Sequence, residues 1–200
     1  MKVRLAIAFI LSGCVSNHQN FSVYKTKPFR SENKFSINGV YFLEKFSTTK
    51  YYDRPHAIFF YADGSISAYN TNQVSKIPES EFWTKPEEYL RSIDFARSPG
   101  EPGHFTVKND TLVIEFITYR GGIPQRGSNR FEGILTEDSS IVLTQQICRW
   151  CHIRVEDFPD NGIKSLDNIR YRFYKTDIRP DSNKFWIKQA RWYKRSVGAR

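Results

Sequence analysis

The sequence predicts an all-β domain, an antiparallel meander of about eight strands that closes into a barrel, with one short helical insertion near residues 85–95. Three observations support this fold class. Short runs of aromatic and β-branched residues recur along the chain, and tight-turn sequences such as Asp63-Gly64 separate several of them. The connections lack the crossover helices that parallel strands need, so sequential hairpins are expected. The 16 Phe, 11 Tyr and 4 Trp residues are enough for a real core.

The predicted strands span residues 35–43, 57–61, 66–69, 105–107, 112–117, 131–135, 141–143 and 169–174. Asp63-Gly64 joins the second and third, because this dipeptide readily adopts the positive φ angles of a hairpin turn. In the fifth strand Leu112, Ile114 and Phe116 share one face, and Glu115 points away. Eight such strands bury their apolar faces and lose both edges by closing into a barrel. A sandwich is the structural alternative.

The insertion between the third and fourth strands, residues 71–102, breaks the strand pattern. Thr84-Lys85-Pro86-Glu87 is typical of a capping box with proline in the first turn. Tyr89, Leu90 and Ile93 then repeat at helical spacing, which predicts a helix over residues 85–95. Long structured insertions often carry function, so we expect residues 78–95 to cover the mouth of any cavity.

The N-terminus has the pattern of an export signal. Lys2 and Arg4 precede an apolar run over residues 5–11, and the small residues Ser12-Gly13 stand before Cys14. The run is too short to span a bilayer, which needs about 20 residues. A simple secretory signal is the alternative, but it usually has a longer apolar run and an Ala-x-Ala-like site.

Leu11-Ser12-Gly13-Cys14 resembles the lipobox of bacterial lipoproteins. This resemblance implies that residues 1–13 are a signal peptide and that acylated Cys14 anchors the protein to a membrane. Residues 14–34 then form a lipidated tether, and residues 35–200 form a single domain. No acidic run follows the cysteine, so we expect an envelope protein on the outer membrane, facing the periplasm.

The chain is basic, with a formal net charge of +9 that falls to +7 when Lys2 and Arg4 are removed. In an exported, tethered protein this charge favours anionic lipid, envelope polymer or simple solubility over nucleic acid. Residues 184–195 mix aromatic and basic side chains. Such a segment could lie at a membrane interface. Alternatively, Trp186 and Trp192 pack on the barrel while the Lys and Arg side chains stay in solvent, and the sequence favours this second arrangement.

The predicted barrel resembles the lipocalin-like lipoproteins of the bacterial envelope. Asn38-Gly39-Val40-Tyr41, the Asp63-Gly64 hairpin and Tyr171-Arg172-Phe173 carry the resemblance. Lipocalins have a Gly-x-Trp whose ring packs under an arginine near the last strand. Here Gly39-x-Tyr41 and either Arg170 or Arg172 would replace them, with Tyr instead of Trp. The resemblance implies a barrel and a small apolar ligand, and it transfers no catalytic residue.

Cys148-Arg149-Trp150-Cys151-His152 matches the Cys-x-x-Cys-His signature of c-type haem attachment. The motif lies inside an extended run over residues 141–155, whereas attachment motifs usually open a helix, and Met1 is removed with the signal. We therefore predict no cofactor. Cys148 and Cys151 could form a disulfide, which would need a turn or bulge at that point. A single Cys/Cys/His group is poor support for zinc.

The sequence contains no nucleophile elbow, zinc-protease motif or phosphate loop, so it predicts a protein that is not an enzyme. Two functions remain open. The barrel could bind a small apolar ligand, for which strand alternation nominates Phe59, Ile114, Phe116 and Tyr171 as lining residues. Alternatively, side chains fill the barrel and it serves as a structural or protein-interaction module of the envelope.

Overall fold

The computed structural model describes residues 35–44, 55–69, 84–97, 100–118, 127–149, 163–185 and 188. Within these residues, eight antiparallel strands form one closed barrel in sequence order. The strands are β1 (Gly39–Leu43), β2 (Ala57–Phe60), β3 (Ser65–Tyr69), β4 (Glu101–Lys108), β5 (Thr111–Thr118), β6 (Gly127–Leu135), β7 (Ile141–Arg149) and β8 (Ile163–Lys175). This architecture confirms the predicted meander and its closure.

The barrel closes through β1, which pairs with β2 on one side and with β8 on the other. Tyr41 lies opposite Ile58 of β2 and Phe173 of β8. Gly39 allows β1 and β8 to approach each other closely, because a Cβ at this position would lie 2.7 Å from the Phe173 ring. Every strand therefore has two neighbours, and the backbone groups of a sheet edge are not left unpaired.

Three tight turns lie at one end of the barrel, which we call the closed end. The predicted Asp63-Gly64 turn joins β2 to β3, with Gly64 at a φ of 82° that glycine adopts without steric cost. The Asp63 carboxylate also accepts hydrogen bonds from the backbone N–H and Oγ of Ser65. Asn109 and Ser139, with φ angles of 55° and 61°, occupy the β4–β5 and β6–β7 turns. Because the strands alternate in direction, β1 also begins and β8 ends at the closed end.

The other end of the barrel, which we call the distal end, is where the β1–β2, β3–β4, β5–β6 and β7–β8 connections run. Most residues of these connections lie outside the described ranges.

The inner face of the barrel forms the main core. Its buried members are Phe35, Tyr41, Leu43, Ile58, Phe60, Ile66, Phe105, Leu112, Ile114, Phe116, Phe131, Leu135, Ile141, Leu143, Leu166 and Tyr171. They recur at every second position, as strand geometry requires when one face is inward. Ile37, Val107, Ile169 and Phe173 are partly buried against them.

A second core covers the outer face of β1–β3. Helix α1 (Pro86–Ser92) buries Tyr89 and Leu90 there, and the Tyr89 ring lies 5.6 Å from that of Phe42. Phe95 packs edge-on against Phe59 at 5.8 Å. The outward residues of β1 and β2, like the inward ones, are apolar, so this face needs a cover of its own. The prediction that the helical segment covers the mouth is therefore wrong for the described residues 84–97. Residues 78–83 lie outside them.

The helix is present where predicted, but its capping was predicted wrongly. Lys85, rather than Thr84, is the N-cap, and no side chain makes a capping hydrogen bond. Pro86 occupies the first turn as expected, because its fixed φ suits that position and its missing N–H would be unpaired there anyway. Among the described residues, no helix has the length and hydrophobicity to cross a bilayer.

Candidate binding site at the distal end of the barrel

Aromatic rings fill the barrel interior at the closed end. Phe35, which precedes β1, inserts between strands, with ring centroids 4.9 Å from Phe60 and 5.4 Å from Phe105. Tyr41 lies 5.3 Å from both Phe60 and Phe173. Burial raises the pKa of the Tyr41 phenol to about 12, although a hydrogen bond from the Ser36 N–H opposes the shift. This end is packed like a protein core, so a ligand would have to bind elsewhere.

An arginine secures the closed end from outside. Arg179, four residues after β8, donates hydrogen bonds of 3.0 Å to the carbonyl oxygens of Ile37 and Phe60. Its guanidinium also lies 4.3 Å from the centre of the Tyr61 ring, a cation–π distance. The chain entering β1, the end of β2 and the segment after β8 are thus joined by one side chain.

Arg170 and Arg172, the arginines expected to pack with Tyr41, do not do so. Both bind Glu44, with Arg172 Nη2 at 2.6 Å and Arg170 Nε at 3.4 Å, and Arg170 also pairs with Asp138. Strand alternation explains the correction: Tyr171 is on the inner face, so its two neighbours in β8 point outward.

The interior changes character toward the distal end. Two carboxamides, Asn129 of β6 and Gln146 of β7, are buried in the wall, with exposed fractions of 1% and 3%. Register places them inside the barrel, since Asn129 lies opposite Phe116 and Gln146 lies opposite Phe131. Gln146 Nε2 is 3.5 Å from Asn129 Oδ1, and the rings of Phe116 and Phe131 stack beside them at 5.4 Å.

A bulge in β7 contributes to this arrangement. The β7–β8 register shifts between Leu143 and Gln145, so the inward positions change from odd to even numbers along the strand. Leu143 is inward before the bulge, and Gln146 is inward after it. The bulge therefore places the side chain of Gln146 inside the barrel. In a regular strand this side chain would point outward.

The inner wall toward the distal end is mixed in composition. Glu101, at the distal end of β4, lies opposite Ala68 and shares the inward phase of Gly103 and Phe105. Glu101 is half-buried. An apolar wall with a few polar groups is the usual composition of a small-molecule site. Carboxamides offer both donors and acceptors without charge, so the wall can hydrogen-bond a carbonyl, hydroxyl or amide.

The structure brings three of the four predicted lining residues together. Ile114, Phe116 and Tyr171 all belong to the inner core, and the Tyr171 hydroxyl donates to the carbonyl oxygen of Pro55 at 2.7 Å. Phe59 is placed differently: it lies on the outer face against Tyr69 and Phe95. All four β2 residues are apolar and buried, so no polar residue in this strand marks which of its faces points into the barrel.

A row of polar residues also crosses the outer face of neighbouring strands. Ser65, His104, Glu115 and Arg130 stand directly opposite one another on β3, β4, β5 and β6. The first three are buried. Burial lowers the pKa of His104 to about 4. The outward position of Glu115 agrees with the prediction from strand alternation, whereas its alignment with Ser65, His104 and Arg130 was not predicted. No group of three His, Cys, Asp or Glu side chains among the described residues is placed to hold a metal.

The cysteines give less structural information. Cys14 and Cys151 lie outside the described residues, and Cys148 lies in β7, opposite Asn129 in the register. Acylation of Cys14 and a Cys148–Cys151 disulfide both stay predictions. Asn129 and Gln146 were missed because the sequence reasoning looked for apolar lining. Asn129 lies two residues before the inward Phe131 and so shares its face of the strand, and a polar residue at such a position was the available signal.

Comparison with known proteins found no match: no family model, curated protein or solved structure resembles this chain significantly.

Proposed function

We propose that this protein is a lipid-anchored, lipocalin-like lipoprotein of the bacterial envelope whose barrel binds a small, largely apolar ligand at its distal end. One observation carries the ligand part of the proposal. The closed half of the interior is filled by aromatic rings, whereas the distal half contains the Asn129–Gln146 amide pair within an apolar wall. Small-molecule sites combine an apolar lining with a few polar groups that orient the ligand, and the amide pair inside an apolar wall has this composition.

The anchor part of the proposal comes from the sequence. Residues 11–14 resemble a lipobox, and the chain enters the barrel at the closed end through Phe35. An anchor on Cys14 would thus hold the molecule by the end opposite the ligand site. Mass spectrometry of the N-terminal peptide from the membrane fraction tests this part. We expect a peptide that begins at acylated Cys14, and an unmodified Cys14 would contradict the anchor.

Binding can be tested with the apolar fluorophore N-phenylnaphthylamine and with native mass spectrometry of the purified protein. Ala68→Phe adds an aromatic ring to the inner wall and should abolish the fluorescence increase. Ile134→Phe adds the same ring on the outer face, where Ile134 is 47% exposed, and should leave the increase unchanged. Circular dichroism of both variants controls for folding.

The second candidate is a structural or protein-interaction module of the envelope whose barrel is filled by its own side chains. The dense ring contacts of Phe35, Tyr41, Phe60 and Phe105 favour it. No fluorescence increase in the wild type, together with no co-purifying small molecule, would support this candidate and overturn the ligand proposal. Affinity purification from cross-linked cells would then search for a protein partner.

A further inference from the structure

After β8 the chain folds back over the closed end of the barrel. The Pro180 carbonyl oxygen accepts a hydrogen bond of 2.8 Å from the Tyr61 hydroxyl. We call the residues that follow, 181–185 and Lys188, the strap. Its Phe185 ring is fully buried, and the centre of this ring lies 5.4 Å from that of the Tyr61 ring. The strap therefore packs against the β2–β3 hairpin.

An ion pair fixes the far end of the strap. Lys188 Nζ lies 2.5 Å from one carboxylate oxygen of Asp63, and only 13% of the Lys188 side chain is exposed. The other Asp63 oxygen accepts hydrogen bonds from the backbone N–H and the Oγ of Ser65, which hold the carboxylate in place. Charge-assisted hydrogen bonds of this kind are stronger than neutral ones. Asp63 is therefore the attachment point of the strap.

A buried histidine adjoins this ion pair. His104 lies opposite Ser65 in the register of β3 and β4, and its side chain is hydrogen-bonded to the backbone of Gly64. Because the neighbouring Phe105 points into the barrel, His104 points outward. It is nevertheless only 5% exposed. The charge of Lys188 adds to the effect of burial in lowering the pKa of His104, so the strap ends close to this side chain.

The charged groups around His104 come from the β2–β3 turn, two barrel strands and the strap. They are Asp63, Glu115 of β5, Arg130 of β6 and Lys188. The Arg130 guanidinium is paired with Glu132 at 2.5 Å. Both carboxylates next to His104 belong to the barrel, whereas Lys188 belongs to the strap. If the strap left, a protonated His104 would keep its attraction to Asp63 and Glu115 and would lose its repulsion by Lys188.

We propose that the strap is an acid-sensitive latch, which the Asp63–Lys188 ion pair holds closed while His104 is neutral and which protonation of His104 loosens. Burial lowers the pKa of His104 from 6.5 to about 4. Release of the strap admits water to the imidazole and returns its pKa toward 6.5, so the released form binds the proton more tightly. Acid therefore favours release, and the ratio of released to bound strap rises by about 100-fold between pH 7 and pH 4.

Hydrogen exchange of the full chain tests the latch, with backbone amides resolved by NMR at pH 7, 5 and 4. The strap reporters are the N–H groups of Phe185 and Lys188, which donate to the carbonyl oxygens of Ser182 and Phe185. Each exchange rate is divided into the rate of an unstructured chain at the same pH to give a protection factor. Strap protection should fall by about 100-fold from pH 7 to pH 4 in the wild type and should stay nearly constant in His104→Gln. At every pH it should be at least about tenfold below that of the β4–β5 amides, because the strap opens without the barrel.

A second variant tests the attachment point and does not depend on the folding of His104→Gln. Asp63→Asn keeps an acceptor for Ser65 but removes the charge that binds Lys188, so it should lower strap protection by about tenfold at pH 7. Asp138→Asn is the matched control, because Asp138 accepts a hydrogen bond from the Ser140 N–H in the β6–β7 turn in the same way. It should leave strap protection unchanged.

Three results would overturn the latch. Equal protection of the strap and the β4–β5 amides would show that the strap opens only when the whole barrel unfolds. The same fall with pH in His104→Gln would show that another group takes up the proton. Equal effects of Asp63→Asn and Asp138→Asn would show that the Asp63–Lys188 pair does not hold the strap.

Discussion

Replacing Arg179 by methionine should lower the unfolding free energy by about 3 kcal/mol. The guanidinium donates two hydrogen bonds of 3.0 Å to backbone carbonyl oxygens, and each contributes about 1 kcal/mol net. Its cation–π contact with Tyr61 at 4.3 Å adds about 0.5–1 kcal/mol. Methionine keeps the length and the apolar packing of the side chain, so the loss reports the polar contacts alone.

Arg172→Met is the matched control, because Arg172 also makes a short polar contact, at 2.6 Å to Glu44. The Arg172 side chain is 55% exposed, and exposed ion pairs contribute only about 0–1 kcal/mol. Urea unfolding, followed by tryptophan fluorescence, measures the unfolding free energy of both variants. The dependence of this free energy on urea concentration should be the same in both variants and in the wild type. Arg179→Lys keeps the charge but loses the two-pronged geometry, so its loss should be intermediate.

Equal losses of unfolding free energy in the Arg179 and Arg172 variants would refute the view that the contacts of Arg179 stabilise the closed end. A larger loss for Arg172 would also refute it, because the exposed Arg172–Glu44 pair would then be the stronger contact.

Three other variants test the core and the buried histidine. Phe60→Ala should cost about 3–5 kcal/mol because it removes a ring that contacts three others, whereas Ile134→Ala on the exposed outer face should cost about 0.5 kcal/mol, as urea unfolding can show. Gly39→Ala should cost about 1–3 kcal/mol in thermal unfolding, because its Cβ collides with the backbone oxygen of Tyr174 and with the Phe173 ring. Since burial lowers the pKa of His104 to about 4, the unfolded chain takes up this proton first on acidification. Stability should therefore fall by about 3 kcal/mol between pH 6.5 and 4, and His104→Gln should reduce that fall; an unchanged pH profile would contradict a buried neutral histidine.

The fold was largely predictable because its signals are local. Asp63-Gly64 determines a hairpin within four residues, and the alternation in Leu112, Ile114 and Phe116 identifies the inner face without reference to other strands. Strand limits were less accurate. β8 begins at Ile163, six residues before the predicted 169–174, because polar residues such as Lys164 and Asp167 interrupt the apolar pattern.

The candidate site was harder to predict, because it depends on contacts between distant parts of the chain. The inward position of Gln146 is set by a bulge against β8, which alternation within β7 does not reveal. Phe59 was assigned to the inside because β2 is apolar on both faces, and contacts such as that of Phe95 with Phe59 show which face the helical segment covers. Arg179 was overlooked for the same reason, since its partners Ile37 and Phe60 lie more than 100 residues earlier.

The pairing of β1 with β8 also has a kinetic consequence. These strands are joined at Tyr41 and Phe173, so the barrel is complete only after almost the whole chain is present. Contacts between such distant residues slow folding, and domains dominated by them fold in about milliseconds to seconds. Until β8 arrives, β1 presents an unpaired edge to other chains. A nascent or unfolded chain of this protein should therefore need protection from aggregation until its last strand can close the ring.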